Sequence, residues 1–371
     1  MLRLLHLADL HLGWRPRYLD DELARERQQQ RDNLLDRAVD FALEQRLDAV
    51  VIAGDLFETY DPPEGLVQRV MASLQRLEDA GIFLLTTPGN HDEITYANSV
   101  YRKHKANWPG VLVTNPDPEL VHSDRIGGRD VNFYSLAYTG GITPAGQPLT
   151  NLPHTGEEGL HVAVFHGTLG MAQERSLPLD RAALGAAGYD YVALGHIHKA
   201  GQERLGASPV VYPGCIEGKG FDDPGTPNWT VVNFGETGVR IETPPVEVQT
   251  IRVETIDLTL LTSPEELEER IVALGDVKAQ VRILLTGTVQ FEIAAEDLVG
   301  RHAHRFWHLE VRDRSDSLDP ELIERWGAQK TVRGAFIRQM GERLQAAETE
   351  EERLLAQRAL LYGLNALRLS A

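Results

Sequence analysis

Residues 2–13 read LRLLHLADLHLG, an apolar run that breaks into Asp9, His11 and Gly13 at its carboxyl end. The run Leu2 to Ala8 reads as a β-strand, and the polar residues that follow it fall where a strand gives way to a loop. The same grammar recurs down the chain. AVVIA at 49–53 is dense in Val and Ile without alternation, as for a strand buried on both faces, and it ends in Gly54-Asp55. Ile82 to Thr86 runs toward Gly89-Asn90-His91-Asp92, His161 to Phe165 into His166-Gly167, and Tyr191 to Leu194 into Gly195-His196-Ile197-His198. Five strands thus end in clusters of carboxylates, imidazoles and one amide, with glycines that let the backbone turn sharply.

Between the early strands the period changes. Leu34, Leu35, Ala38, Val39, Ala42 and Leu43 lie on one face of a helix within Arg31 to Arg46. A second helix spans about Glu64 to Asp79, with Pro62-Pro63 before it and Gly81 as its stop. Alternating strands and helices imply a sheet with helices packed on its faces. From Val111 to Val246 short strands separated by Gly/Pro turns dominate: Val111 to Thr114, Val131 to Leu136, Pro209 to Tyr212 and Thr230 to Phe234, with one helix near Arg181 to Ala187. Residues 1–245 therefore read as one layered α/β sandwich, and Pro244-Pro245 as a linker. Residues 246–317 read as a small α+β domain: strands Thr250 to Leu260, Val277 to Leu285 and Trp307 to Val311, a helix opened by the capping box Ser263-Pro264-Glu265-Glu266, and another near Glu296 to His302. Residues 318–371 read as wholly helical, with Leu360, Leu361, Leu364 and Leu367 as an apolar face.

At 371 residues, two or three domains are expected. The hydrophobic fraction of 42% against 25% charged residues excludes a disordered, collagenous or coiled-coil protein. A single cysteine, Cys215, allows no internal disulfide or cysteine-ligated zinc, and is read as a small buried hydrophobe. Neither a signal peptide nor a membrane span is legible, so the cytoplasm is the expected location and no membrane partner is expected. The net charge of -18 argues against a protein that coats nucleic acid through its bulk field, and leaves room for a local basic patch.

In an α/β sheet, ligand sites collect outside the carboxyl ends of the strands, so the five clusters can converge on one crevice. Asp-x-His and His-x-His place two donors on one side of an extended segment. The donors are too many for one tetrahedral zinc. A mixed nitrogen and oxygen set suits Mn, Fe or Zn in a binuclear centre better than Ca or Mg. Two divalent ions of that kind activate water and stabilise the attacking and leaving oxygens in phosphoester hydrolysis. Isolated histidines such as His6, His122 and His154 need no such role.

The ordered series Asp9-His11, Gly54-Asp55, Gly89-Asn90-His91-Asp92, His166-Gly167 and Gly195-His196-Ile197-His198 resembles the calcineurin-like metallophosphoesterase family. ADLHLG at 8–13, AGDLF at 53–57 and GHIH at 195–198 are most similar to its DNA repair exonuclease branch, the SbcD/Mre11-type nuclease subunits. The resemblance covers residues 1–245 by motif and the rest by layout. It implies a four-layer αββα sandwich, a capping domain formed by about 246–316, and C-terminal helices that grip an SbcC/Rad50-like coiled-coil ATPase. It implies that Asp9, His11 and His198 hold one metal, that Asn90, His166 and His196 hold the other, and that Asp55 bridges them. His91 would protonate the leaving oxygen and Asp92 would orient His91 through a carboxylate–imidazole hydrogen bond. Manganese is the first expectation, with iron or zinc as alternatives. A homodimer through helices near the first and third motifs is also implied.

Two departures stand out. Glu58 occupies the place of a histidine in archaeal relatives, and Cys215 that of a serine in many. DNA contact is expected from Arg15 and Arg17 beside Trp14 and Tyr18, and from Arg102, Lys103 and Lys105 between Tyr101 and Trp108, although solvated loop charges explain the same residues. The implied function is a two-metal DNA phosphodiesterase, an exonuclease or endonuclease in double-strand break repair or end processing. The alternatives are a phosphoesterase of the same superfamily acting on small diesters or phosphoproteins, and a subunit that only recruits DNA ends or the ATPase. Such a chain would bind DNA weakly alone.

Overall fold

A computed structural model describes residues 1–140, 148–170, 176–261, 263–289, 291, 293–317 and 320–368. The chain divides into two compact units, Met1–Val248 and Gln249–Ala371.

In the first unit, Leu2–Leu7, Ala49–Ala53, Phe83–Thr87 and Val111–Leu112 are parallel neighbours. Thr230–Gly235 joins the other side of Leu2–Leu7 antiparallel, and Gly238–Glu242 closes that edge as a hairpin. All five residues of Ala49–Ala53 are buried, because helices cover one face of the sheet and a second sheet the other. That second sheet runs in the order Gly201–Leu205, Ser208–Tyr212, Tyr191–Gly195, Leu160–His166, Arg129–Ser135, Glu119–Ile126. Val131, Phe133, Val162, Val164 and Tyr191 from it share one core with Leu5, Val50, Ile52 and Leu85 from the first. Helices Leu34–Glu44 and Glu64–Asp79 put Leu35, Ala38, Val39, Val70, Leu74 and Leu77 into the same core. Beyond the second sheet, Leu177, Leu179, Leu184 and Tyr189 pack with Phe165 and Leu194 around the short helix Arg181–Ala186. The layering is αββα, with a thin outer helical layer.

The expected elements are present with ends shifted by up to three residues: the strand expected at Thr250 to Leu260 ends at Asp257 in a 3-10 turn, and the helix expected from Arg31 starts at Leu34; several unexpected elements join them. Helix Asp21–Asp32 is hydrophilic apart from Leu23 and Ala24, and buries Arg27 and Arg31 with Ala24 instead of an apolar stripe. Edge strands Glu119–Ile126 and Gly201–Leu205 are mostly polar and show no clear alternation, and Gly238–Glu242 (GVRIE) is too short to stand out.

The second unit holds a three-stranded parallel sheet, Thr250–Asp257, Asp276–Thr286 and Phe306–Asp313, with the middle segment in the middle of the sheet. Helices Pro264–Ala273 and Ala295–His302 make the crossovers, and the Ser263 side chain caps the first by accepting the Glu266 N–H. Helices Pro320–Gly327, Val332–Ala346 and Glu350–Arg368 complete this unit. The segment boundary expected at 317/318 falls against residues 318 and 319, which lie outside the described residues. Leu361 and Leu364 of the last helix are already buried, whereas Leu355 is 69% exposed. Among the described residues no helix is long and apolar enough to cross a membrane.

Candidate metal centre

The five motifs leave the sandwich at one end, because the strands that carry them are parallel within each sheet. Backbone hydrogen bonds then join the loops: Asp9 N–H donates to Gly54 O (3.1 Å), His11 N–H to Asp55 O (3.0 Å) and Gly167 N–H to Gly195 O (3.2 Å). Glycine is needed where the loops cross. A Cβ on Gly89 would collide with the Asp55 carboxylate, and one on Gly195 with the Ala53 carbonyl.

Non-glycine residues rarely adopt positive φ, and among the described residues five do: Asp9 (54°), His11 (50°), Asp55 (52°), His196 (96°) and Arg46 (50°). Four of the five are candidate ligands. Each such residue costs about 1–3 kcal/mol, and strain of this kind gathers where a side chain must be aimed.

All seven expected ligands come together. Asp9, His11 and His198 form one group of converging donor atoms, and Asp9, Asp55 and His166 another. His11 Nε2 lies 3.0 Å from His198 Nε2 and 3.7 Å from Asp55 Oδ2. His166 Nε2 lies 2.9 Å from Asn90 Oδ1 and 3.3 Å from Asp55 Oδ2, and His196 Nδ1 lies 2.8 Å from the same Asn90 oxygen. The outer nitrogens fix the tautomers. His166 Nδ1 donates to the Ala53 carbonyl (2.9 Å), His198 Nδ1 sits 2.7 Å from Asp223 Oδ2, and His11 Nδ1 sits 2.9 Å from Glu58 Oε2. The Ala53 carbonyl and the Asp223 carboxylate can only accept, so His166 and His198 carry a proton on Nδ1 and can turn Nε2 toward a cation, whereas His11 Nδ1 lies near Glu58 without hydrogen-bond alignment. Such a set fits divalent cations, and its mixture of imidazole, carboxylate and amide oxygen matches Mn, Fe or Zn.

The charges are equally unbalanced. Burial pushes the Asp9 carboxyl up to about 6. Asp55 is held well below the carboxylate range although burial opposes this, because His166 and His11 face it. Burial drives His11 down to about 3 and His196 to about 4, whereas Asp55 and Asp9 outweigh burial and raise His166 to about 9. Positive ions among these donors would relieve the burial of both aspartates.

His91 stands at the rim with its side chain 37% exposed. Its backbone N–H donates to Asp55 Oδ1 (2.8 Å) and its Nδ1 to the Glu58 carbonyl (3.0 Å). The expected His91–Asp92 pairing is absent, which corrects the role given to Asp92. The Asp92 carboxylate is buried and accepts from Gly89 N–H (2.7 Å), Phe57 N–H (3.1 Å) and Tyr101 Oη–H (2.7 Å). Neighbouring side chains in a tight turn point apart, so Asp92 braces the loop from below while His91 faces outward.

The basic residues divide. Arg15 and Arg17 line a cavity of about 740 Å³ with Trp14, Leu19, Asp21 and Glu58, and Arg15 pairs with Asp21 (2.6 Å). Lys103 pairs with Asp61 (2.5 Å), Arg102 Nε donates to the Ile94 carbonyl (2.6 Å), and Lys105 is exposed. The aromatic residues divide likewise: Tyr101 and Trp108 are buried in the core, whereas Trp14 lines the cavity with Arg15 and Arg17, under the Arg31 guanidinium, and Tyr18 is exposed. Cys215 is fully buried, and burial pushes its thiol up to about 11, which suits packing and not nucleophilic chemistry. Sequence reasoning missed Asp223, Lys219, Glu217, Arg27 and Arg31. The first three sit in an irregular loop with no periodicity, and the two arginines lie in a helix with no apolar stripe.

Residues 2–200 match the Calcineurin-like phosphoesterase family, and the chain belongs to that family. Among curated relatives it is similar to "DNA double-strand break repair protein Mre11" of Methanopyrus kandleri, 26% identical over 230 residues, 58% of this chain and 49% of that protein. It is 29% identical over 248 residues to the protein of the same name in Aeropyrum pernix, covering 61% of this chain and 56% of that one. It is 24% identical over 248 residues to the metallophosphoesterase YhaO of Bacillus subtilis, covering 65% and 59%. The chain thus spans less than two thirds of the length of these relatives.

Proposed function

We propose that this protein is a two-metal-dependent DNA phosphodiesterase, an exonuclease or endonuclease that processes ends in double-strand break repair together with an SbcC/Rad50-like ATPase. The observation that carries the hydrolytic part is the convergence of His11, His198 and His166 on Asp9 and Asp55, with Nδ1 of His198 and His166 tied outward. Asp9, His11 and His198 would hold one ion, Asn90, His166 and His196 the other, and Asp55 both. When bound, such ions, Mn2+ being the first to test, would polarise the phosphoryl group and lower the pKa of water. The DNA part draws its support from the relatives named as Mre11 proteins.

The protein's own residues supply position and a proton. His91 Nδ1–H is committed to the Glu58 carbonyl, so Nε2 faces outward and, with the ring in its imidazolium form, would pass its proton to the departing oxygen and leave the neutral Nδ1–H tautomer. Its backbone N–H, bonded to Asp55, ties the proton donor to the bridging carboxylate. Asp92 acts through the loop and not on His91 itself. Arg15 and Arg17, beside the cavity that reaches Glu58, are the basic residues best placed to meet phosphates.

A second reading, hydrolysis of small diesters without DNA, is favoured by one observation. Arg15 and Lys103 are neutralised by Asp21 and Asp61 in a chain of net charge -18. Cleavage of single- and double-stranded DNA and of bis-p-nitrophenyl phosphate, with Mn2+ and with or without the ATPase co-purified from the source cell, separates the two. The expected outcome is EDTA-sensitive cleavage of both substrates, with DNA cleavage rising when the ATPase is added. Ester cleavage without DNA cleavage in either condition contradicts the first reading.

A further inference from the structure

The two histidines of the first donor group are backed by carboxylates that no motif contains. Glu58 Oε2 lies behind His11 and Asp223 Oδ2 behind His198, whereas a backbone carbonyl lies behind His166. Both carboxylates depend on one loop. Asp223 belongs to it, and Lys219 from the same loop reaches Glu58 Oε2 at 2.7 Å.

The loop is bolted to the strand ends that carry the ligands. Cys215 N–H donates to the His198 carbonyl (2.8 Å). Arg31 donates from Nη1 to the carbonyl of Leu10, between Asp9 and His11 (3.1 Å), and from Nη2 to the carbonyls of Glu217 (2.5 Å) and Gly218 (2.9 Å). Arg27 pairs with the Glu217 carboxylate (2.6 Å) and donates to Gly218 O (3.1 Å). Both guanidinium groups are fully buried.

We infer that the loop from Cys215 to Asp223 is the positioning element of the first metal site, acting through Asp223 on His198 and through Lys219 and Glu58 on His11. Resting on the metal-centre reading above, it makes the two sites unequal. A carboxylate behind an imidazole fixes its ring and raises its basicity, and removing such a partner typically weakens metal binding about 10–100-fold. The first site has two carboxylates behind its histidines: Asp223 is hydrogen-bonded to His198, and Glu58 lies 2.9 Å from His11 Nδ1 without hydrogen-bond alignment. The remaining donor histidines, His166 and His196, have no part in this loop.

Calorimetric titration of Mn2+ into the chelator-treated full chain tests the assignment, with melting in EDTA as the check on folding. The wild type is expected to show two binding events. Asp223→Ala weakens one of them about 10–100-fold and leaves the other unchanged. Asp223→Asn recovers part of the loss, because its amide oxygen still accepts the His198 Nδ1–H. Lys219→Met, a partly exposed site that leaves the buried arginines intact, weakens the same event by a smaller factor. The inference is overturned if the wild type binds two ions and these variants retain both affinities, or lose both equally. A wild type that binds no Mn2+ at all defeats the metal-centre reading instead.

Discussion

At the scale of single residues, His91 and Asp92 show how far adjacent positions can diverge. One ring nitrogen of His91 is held by the Glu58 carbonyl and its side chain reaches the surface, while Asp92 is sealed in the core and accepts three hydrogen bonds from its own loop and from Phe57 and Tyr101. His91→Gln is therefore expected to bind both ions as the wild type does yet lose cleavage by about 10²–10⁴-fold, the range for a lost general acid. Parallel measurements of metal content and turnover check this, and a fully active variant removes His91 from the proton-transfer role. The seven candidate ligands were legible because each is a polar residue just past an apolar strand, an address that sequence displays directly. The orientation of Asp92 was not, since it depends on how a sharp turn splays its side chains. Asp223 was invisible for a different reason: its place behind His198 arises from a loop folding back 25 residues later.

At the scale of elements, the central strands and the helices Leu34–Glu44 and Glu64–Asp79 follow from apolar period alone. Helix Asp21–Asp32 does not, because its large buried side chains are arginines whose Nη atoms donate to carbonyls and to Glu217 across more than 180 residues. Its one local signal was Asp20, whose carboxylate caps the N–H groups of Glu22 and Leu23. Such a helix is stable only while its charges are matched. Glu217→Ala leaves the Arg27 guanidinium buried without its counter-charge, and a loss of about 3–5 kcal/mol is expected from breaking a buried pair. Urea unfolding in the presence of chelator measures this independently of metal. A change below about 1 kcal/mol, the level of an exposed pair, contradicts the account of the network.

At the scale of the whole molecule, the net charge of -18 and the proposed DNA substrate pull in opposite directions. Asp9 and Asp55 would be compensated by the ions they hold, which removes little of the excess. The buried Tyr101 and Trp108 and the paired Arg15 and Lys103 leave less basic and aromatic surface than the residue order suggested. Under the proposed function, DNA engagement would rest on the metals and the few cations near them, with the ATPase as the second hold. The first unit runs to Val248, and Pro244-Pro245, read as a linker, is bonded within it: Trp229 N–H donates to the Pro244 carbonyl (2.8 Å). Everything else hangs on whether one pole of the sandwich holds two ions. Diffraction at the manganese absorption edge from crystals grown in Mn2+ answers that directly. The account predicts two anomalous peaks about 3.5–4 Å apart, one among Asp9, His11 and His198, the other among Asn90, His166 and His196, with Asp55 touching both. A single peak, or peaks away from these residues, would contradict it.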